Sequence, residues 1–294
     1  MSFRLKGLLL GACGLVLGAC ATQPNPLEVA KLREMPQVVD IPSSIFYTGS
    51  TEAERRAAYK TDEDAYKVPV TRQQNWYEYE LPHEQVRLKR FFITKTPITN
   101  HQYAAFVRDT HRQAPDVDVV DWESYGLSHS FASTRKYAWK EGMYGPGRGD
   151  HPVVLVDLAD AKAYAQWLSD QTGKYWRLPT EREWELAARG QEGWAYPWGN
   201  HFNPAKANTA DLGPYDTLPV GSFPRGASPF GVLDMAGQVY EWTTTPGEKG
   251  RITVKGGAWD DRGCGVCRAA ARHHRRPDMK HILIGFRLIR EIDE

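Results

Sequence analysis

Glycine, proline and aromatic residues interrupt this chain throughout, and they leave little room for long regular elements. The 294 residues include 26 Gly, 19 Pro, 10 Trp and 14 Tyr. Glycine and proline both disfavour the interiors of helices and strands. Large aromatic side chains bury much apolar surface per residue. The composition therefore predicts a loop-rich body held together by aromatic packing.

Capping residues predict a small number of helices. Ser, Thr, Asp and Asn side chains accept hydrogen bonds from the free N–H groups of a first helical turn, and a Glu three residues later can return the bond. Glycine in turn favours the end of a helix. The predicted N-caps are Thr51, Thr99 or Asn100, Asp157 and Thr180, and the predicted ends of the last two helices are Gly173 and Gly190.

Strands are predicted over residues 86–93 and 151–156, where β-branched and other apolar residues cluster. Residues 110–150 lack periodicity and are expected to form a long ordered loop region. We find no repeat and no second hydrophobic core in the sequence. We therefore expect one irregular α+β domain with few helices, short strands and many loops.

The N-terminus has the pattern of an export signal. Arg4 and Lys6 precede a short apolar stretch that ends in Leu17-Gly18-Ala19-Cys20. This stretch is too short to remain as a membrane span. Its last four residues resemble the lipobox of bacterial lipoproteins, which implies cleavage before Cys20 and a lipid on that cysteine. Ala21 follows, where Asp would be a retention signal, and this resemblance favours the periplasmic face of the outer membrane.

The segment after Cys20 is polar and rich in proline, as expected of a tether that lifts a domain off a membrane. We divide the chain into a signal peptide (1–19), a lipidated tether (20–45), an N-terminal extension (46–85) and the main domain (86–294). The alternatives to a lipoprotein signal at the N-terminus are an ordinary secretory signal and a buried N-terminal helix. The net charge of +1 gives no electrostatic basis for binding nucleic acid. The expected partners are the membrane, through Cys20, and a periplasmic protein or peptide.

Short motifs follow one another in an order that resembles one known family. The motifs are Ile93–Asn100, Arg177–Glu185, Tyr196–Asn200, Gly231–Trp242, Lys255–Trp259 and Ile284–Arg287. Together they resemble the formylglycine-generating enzyme (sulfatase-modifying factor) domain. The resemblance implies an irregular α+β fold, distantly like C-type lectins. Taken singly, most of these motifs are better explained as structural: Arg177, for example, is expected to pair with Glu181 or Glu183.

The resemblance also implies two calcium sites. Carboxylate, amide and carbonyl oxygens are the ligands that Ca²⁺ prefers. Alternatively, the carboxylates of the first site only cap and pair, and the loop of the second site is shorter than usual. The implied ligands are Asp234, Gly237, Val239 and Glu241 in the first site, and Asn208 and Thr209, with Asp216 as a further candidate, in the second.

The segment after Gly256–Gly257 departs from the family pattern. Active family members use two cysteines there to bind copper and the substrate cysteine, but this chain has a closer C-x-x-C pair, Cys264 and Cys267. Counted from the glycines, the first catalytic cysteine falls on Asp261, and Ala258 replaces the usual Ser. These departures argue against the standard formylglycine reaction.

Three roles stay open for Cys264 and Cys267. They can form a structural disulfide or remain idle thiols; they can hold copper, iron or zinc, with His273 and His274 close behind; or they can act as a redox pair. Once Cys13 leaves with the signal and Cys20 is lipidated, Cys264 and Cys267 are the only cysteines that can pair with each other. An oxidising compartment permits a bond between them.

Two functions from different classes follow. The first is a periplasmic maturation enzyme that oxidatively modifies a protein or peptide-derived substrate, with Cys264 and Cys267 as catalytic residues. It resembles the exported, pyoverdine-maturation branch of the family. The second is a catalytically degenerate binding or scaffold lipoprotein that recruits a periplasmic partner. The retained cysteines slightly favour the first function, whereas Ala258 and the lost spacing favour the second.

Overall fold

The structure is a computed structural model that describes residues 35–292 and Met1. The predicted signal peptide, Cys20 and the first part of the predicted tether lie outside the described residues. Within 35–292, no helix is both long and apolar enough to cross a membrane.

The described chain is a mixed α+β structure of short elements, as predicted. Its α-helices are α1 (Glu52–Tyr66), α2 (Val70–Gln73), α3 (Asn100–Thr110), α4 (Val119–Ser124), α5 (Phe131–Thr134), α6 (Leu158–Thr172) and α7 (Glu181–Arg189). Its strands are β1 (Val38–Ile41), β2 (Ser44–Thr48), β3 (Glu84–Leu88), β4 (Phe91–Thr94), β5 (Trp176–Arg177), β6 (Tyr240–Pro246), β7 (Ile252–Lys255), β8 (His273–Arg275), β9 (Ile284–Gly285) and β10 (Ile289–Arg290).

The strands form three small sheets in the described chain. One has the order β1-β4-β10-β5, the second is the pair β2-β3, and the third has the order β8-β7-β6-β9. All pairings are antiparallel except that of β6 with β9. The last sheet carries the glycine motif at the end of β7, and it therefore positions the candidate site.

The predicted end of the tether at residue 45 is corrected by β1 and β2. Val38 pairs with Thr94 and Ile41 with Phe91, so residues 38–41 belong to the first sheet. Ile41 is fully buried there. Pro36 and Pro42 of the predicted tether lie on either side of β1. Proline is tolerated at the ends of an edge strand because no ladder hydrogen bond is lost there.

The predicted helix starts are confirmed. Thr51, Thr99 and Thr180 each form a capping box with the residue three positions later, and Thr99 rather than Asn100 is the N-cap of α3. Asp157 caps α6, which ends at Gly173 with φ 65°. Gly190 follows α7. Each of these starts is set by side chains next to the helix in sequence, and this locality makes them predictable.

The two predicted strands need correction. Residues 86–93 are divided between β3 and β4, which belong to different sheets. Residues 151–156 form no strand, although residues 153–156 are buried: Leu155 has a φ of 60°, and its N–H donates to the His281 carbonyl. An apolar run of this length shows burial but does not distinguish a strand from an irregular buried segment. The loop region 110–150 contains the short helices α4 and α5.

Aromatic rings dominate the larger core, as the composition predicted. Tyr103 stacks on Tyr164 with 5.6 Å between ring centroids, and Phe106 and Phe286 meet both rings edge-on. All four rings are buried. The ion pair predicted at the start of α7 is also present, between Arg177 and Glu183 at 2.7 Å.

Candidate functional site

A glycine hinge connects β7 to the cysteine segment. Gly256 and Gly257 have φ angles of 105° and 73°, a region that residues with a Cβ rarely adopt. A Cβ on Gly257 would lie only 2.5 Å from the Cys267 sulfur. The hinge therefore does two things: it turns the chain, and it lets the backbone pass directly over the cysteine pair.

Cys264 and Cys267 form a disulfide, and both residues are fully buried. The Cys267 N–H donates to the Cys264 carbonyl at 3.0 Å, which closes a tight turn. We call Gly263–Arg268 the disulfide turn. Metals and electrophiles react with thiolates, and a sulfur held in a disulfide is not a thiolate. This state matches a structural disulfide and equally the oxidised form of a redox pair.

Helix α1 and the segment after α2 cover the disulfide turn. The Asp62 carboxylate accepts the Gly265 N–H at 2.8 Å and also a short hydrogen bond from the Tyr77 hydroxyl. A Cβ on Gly265 would lie 2.4 Å from that hydroxyl oxygen. Burial raises the pKa of Asp62. The predicted N-terminal extension is thus part of the wall around the cysteines, a role that sequence reasoning did not assign to it.

The two histidines proposed as metal ligands lie on β8. His273 packs edge-on against Trp76 and Tyr240, at 5.3 and 5.4 Å between ring centroids. Among the described residues, no group of three or more His, Cys, Asp or Glu is arranged to hold a metal ion. Copper, iron or zinc at Cys264 and Cys267 therefore stays a prediction from sequence alone.

Asp261 stands where the sequence count placed the first catalytic cysteine. Its carboxyl accepts hydrogen bonds from the Tyr240 hydroxyl at 2.9 Å and the Ala258 N–H at 2.8 Å. Burial, reinforced by the neighbouring Asp260 carboxyl, raises the pKa of Asp261. Asp260 itself contacts the His129 ring at 2.9 Å. Sequence reasoning named neither residue as a site residue, although two acids directly after the hinge were a visible signal.

Three motifs meet at Glu241, the proposed carboxylate of the first calcium site. Glu241 is fully buried and accepts hydrogen bonds from Trp184 Nε1 at 2.7 Å and from Arg287 Nε and Nη2 at 2.6 and 2.8 Å. Its charge is thus compensated by Arg287. Asp234 accepts the Gly221 N–H at 2.7 Å, and burial raises its pKa to about 6. Glu241 is thus paired, whereas Asp234 forms no ion pair in the described chain and is bound by a backbone N–H.

The second proposed calcium site has oxygens that converge. Asn208 donates through Nδ2 to the Asp216 carbonyl and the Gln238 side chain, whereas its buried Oδ1 has no hydrogen-bond partner in the described chain. A Cβ on Gly213 would lie 2.4 Å from Asn208 Oδ1 and 2.6 Å from the Thr209 carbonyl oxygen. Both oxygens therefore lie close together beside Gly213, whose N–H donates to the Thr209 carbonyl at 2.7 Å.

The carboxylate of Asp216, the further candidate ligand of this site, is already bound by other side chains. It accepts hydrogen bonds from the Arg148 guanidinium and the Tyr137 hydroxyl. Burial opposes its ionisation, but these hydrogen bonds prevail and lower the pKa of Asp216 to about 2. The structure also brings the two predicted sites together, because the Gln238 N–H, one residue after Gly237, donates to the Asn208 carbonyl at 2.8 Å.

The short strands, the glycine hinge and the Trp184–Glu241–Arg287 contact define an irregular α+β domain of the sulfatase-modifying type. Residues 24–292 match the sulfatase-modifying factor enzyme 1-like domain, and the chain belongs to that family. The match includes most of the predicted tether and the whole N-terminal extension.

Relatives of this chain include formylglycine-generating enzymes and proteins named as inactive. The formylglycine-generating enzyme of Streptomyces coelicolor is 33% identical over 269 residues, which cover 73% of this chain and 82% of that protein. The inactive C-alpha-formylglycine-generating enzyme 2 of Bos taurus is 32% identical, over 71% of this chain and 79% of that protein. The solved structure of PvdO from Pseudomonas aeruginosa superposes with a TM-score of 0.65 at 27% identity, over 88% of this chain and 96% of PvdO.

Proposed function

We propose that this chain is an envelope-anchored lipoprotein whose formylglycine-generating-enzyme-like domain binds a periplasmic protein or peptide without cysteine-dependent oxidation. The observation that carries this proposal is the sealed disulfide turn. Cys264 and Cys267 are bonded, fully buried and covered by residues of α1. A substrate thiol has no path to either sulfur unless α1 moves and the bond opens. The similarity to a mammalian protein that is described as inactive is consistent with this proposal.

The same proposal includes a lipid anchor on Cys20. A lipid on Cys20 would hold the domain at the periplasmic face of the outer membrane, with the residues before β1 as the tether. Replacing Cys20 by Ala should abolish incorporation of labelled palmitate and move the protein from the membrane fraction to the soluble periplasm. Unchanged membrane fractionation of Cys20→Ala would contradict the anchor but would leave the binding role of the domain intact.

A second candidate is the oxidative maturation factor, with copper or iron at Cys264 and Cys267. The similarity to formylglycine-generating enzymes and to the PvdO structure favours it. It requires both sulfurs to become thiolates and to be reached by substrate, because only then could they bind a soft metal. A peptide or protein substrate would have to displace the Asp62 and Tyr77 contacts.

Thiol labelling distinguishes the two candidates. The full chain is treated with a mild reductant, labelled with a maleimide before or after unfolding in urea, and analysed by mass spectrometry. The binding proposal expects labelling of Cys264 and Cys267 only after unfolding. It also expects no copper-dependent oxygen consumption, either in the wild type or in Cys264→Ser/Cys267→Ser. Rapid labelling in the folded state, with oxygen consumption that the double variant loses, would establish the maturation factor.

We further propose structural calcium at Asn208 and Thr209. The orphaned Asn208 Oδ1 and the nearby Thr209 carbonyl support this site. Calcium that binds only the folded state raises stability by RT ln(1 + [L]/Kd), about 2.7 kcal/mol at a concentration of one hundred Kd. Melting with calcium, with magnesium and with chelator should show a calcium-specific increase that Asn208→Ala abolishes. Asp234→Asn is the matched variant: loss of the increase in that variant instead would assign the ion to the first site.

A further inference from the structure

A concave site lies beside β8. It is a cleft of about 290 Å³, bordered by the segment after α2, by the turn between β6 and β7, and by β8. We call it the basic cleft. The residues used below are Trp76, Tyr79, Lys249, Arg251, His274 and Arg275.

The charges in the basic cleft do not balance. Lys249, Arg251 and Arg275 have no carboxylate partner among the described residues, and Arg272, which also lines the cleft, is already paired with Glu181 at 3.0 Å. Glu248 is the one carboxylate among the lining residues, so the cleft carries an excess of two positive charges. A recess with one sign of charge concentrates ions of the opposite sign.

Other arginines near this sheet are paired, which makes the cleft an exception. Arg268 contacts Glu80, Arg276 contacts Asp278 at 2.6 Å, and Arg287 contacts Glu241 at 2.6 Å. These three arginines outside the cleft are therefore paired, whereas Arg251 and Arg275 in its lining are not.

His274 also lines the cleft. His274 Nδ1 faces the Glu248 N–H at 3.4 Å, so the ring proton belongs on Nε2, and Nε2 has no partner in the described chain. Trp76 and the half-exposed Tyr79 form an aromatic wall beside this ring.

We propose that the basic cleft binds a phosphate group, with Arg251, Arg275 and Lys249 as its charge partners and the aromatic wall against the rest of the ligand. A phosphate monoester carries about 1.5 to 2 negative charges at neutral pH, which matches the excess in the cleft better than one carboxylate does. Guanidinium groups bind phosphate oxygens in pairs of parallel hydrogen bonds. This inference goes beyond the proposed function and is independent of it, because neither cysteine takes part.

Phosphate titration of the purified full chain tests the proposal. Calorimetry with inorganic phosphate should show saturable binding to the wild type and binding at least about tenfold weaker in Arg251→Gln and in Arg275→Gln, since a charged hydrogen bond contributes about 1.5–3 kcal/mol. Arg225→Gln is the matched control, because Arg225 is exposed and lies outside the cleft lining. All variants should melt like the wild type.

The probes separate the possible sources of the phosphate group. Binding of glycerol phosphate in solution would support a soluble phosphorylated ligand. Binding only to phosphatidylcholine vesicles that contain phosphatidic acid would support a lipid headgroup, since the same phosphate is then presented on a membrane. No binding of any phosphate probe, equal weakening in Arg225→Gln, or acetate binding as tight as phosphate would overturn the proposal.

Discussion

The disulfide turn and the basic cleft lie a few residues apart in the chain and have opposite character. In the turn, Arg268 is buried against Glu80, and the Gly265 N–H is bonded to Asp62. In the cleft, Lys249 and Arg251 are exposed and have no ion-pair partner among the described residues. One region is closed and internally satisfied, whereas the other is open and has unused charge.

This difference shows which residues hold the fold and which remain available for recognition. A buried charge without a partner is costly, so charges in the closed turn must be paired. Water stabilises the cations of an open cleft, and they can stay free until a ligand arrives. The motifs that identify the family lie mostly in the buried interior, where charges are likewise paired, as Trp184, Glu241 and Arg287 illustrate.

The largest expected effect separates the arginines of the two regions. Arg268→Met should destabilise the fold by about 3–5 kcal/mol, because it leaves Glu80 buried without a partner. Arg251→Gln should change stability by less than about 0.5 kcal/mol, as is usual for exposed positions. Urea denaturation measures both. The double variant Glu80→Leu/Arg268→Met should recover most of the loss, and equal stability of Arg268→Met and Arg251→Gln would show that the turn is not closed in solution.

Two glycines give the next largest contrast. Gly257 and Gly250 both have a φ of 73°, but a Cβ on Gly257 would meet the Cys267 sulfur at 2.5 Å, whereas a Cβ on Gly250 would meet nothing within 4 Å. Gly250→Ala should cost only the backbone penalty, about 1–2 kcal/mol. Gly257→Ala should cost about 1–3 kcal/mol more, because the core around it is overpacked. Thermal melting of the two variants side by side measures the difference; similar losses would mean that the hinge does not press on the disulfide.

Local signals explain what could be predicted from the sequence. The capped starts of α1, α3, α6 and α7 depend on side chains within a few residues of each helix, and they were predicted at Thr51, Thr99, Asp157 and Thr180. The family motifs gave the fold because several occur in order. Strand pairing is not local: β1 pairs with β4 across some fifty residues, so no nearby residue marked Val38–Ile41 as a strand.

The site was less predictable for the same reason. The cover over Cys264 comes from Asp62, about 200 residues earlier in the chain, and the proposed calcium ligand Glu241 meets Arg287 only in the folded protein. The basic cleft likewise combines residues of three separate segments. A charge shows in the sequence, but whether it has a partner is known only after folding.

Removing the disulfide should have a smaller effect than breaking the buried ion pair. A bond that closes a loop of four residues stabilises a protein by about 2 kcal/mol in the chain-entropy estimate. Cys264→Ala/Cys267→Ala should therefore lower the free energy of unfolding by about that amount and leave the fold intact. Phosphate affinity at the basic cleft should stay within about twofold of the wild type, because the two regions share no charge partner. A large loss of phosphate binding in this variant would show that the closed and open regions are coupled.

The last contrast is measured as a pH slope, and it concerns Asp261, a buried acid whose hydrogen-bond partners are neutral. Burial, with the Asp260 carboxyl nearby, raises the pKa of Asp261 above its unfolded value of 3.8. Between these two pKa values the folded state holds one proton more, so stability must fall as the pH rises from about 4 through the raised pKa, by at most about 1.4 kcal/mol per pH unit. Asp261→Asn can still accept the bonds from Tyr240 and Ala258, and it should remove this slope. Asp64→Asn, at an exposed ion pair, is the control and should keep the slope. Wild-type stability that does not change from pH 5 to 7, or a slope that Asp261→Asn retains, would contradict the prediction. Either result would show that the Asp261 carboxyl ionises freely and is open to water.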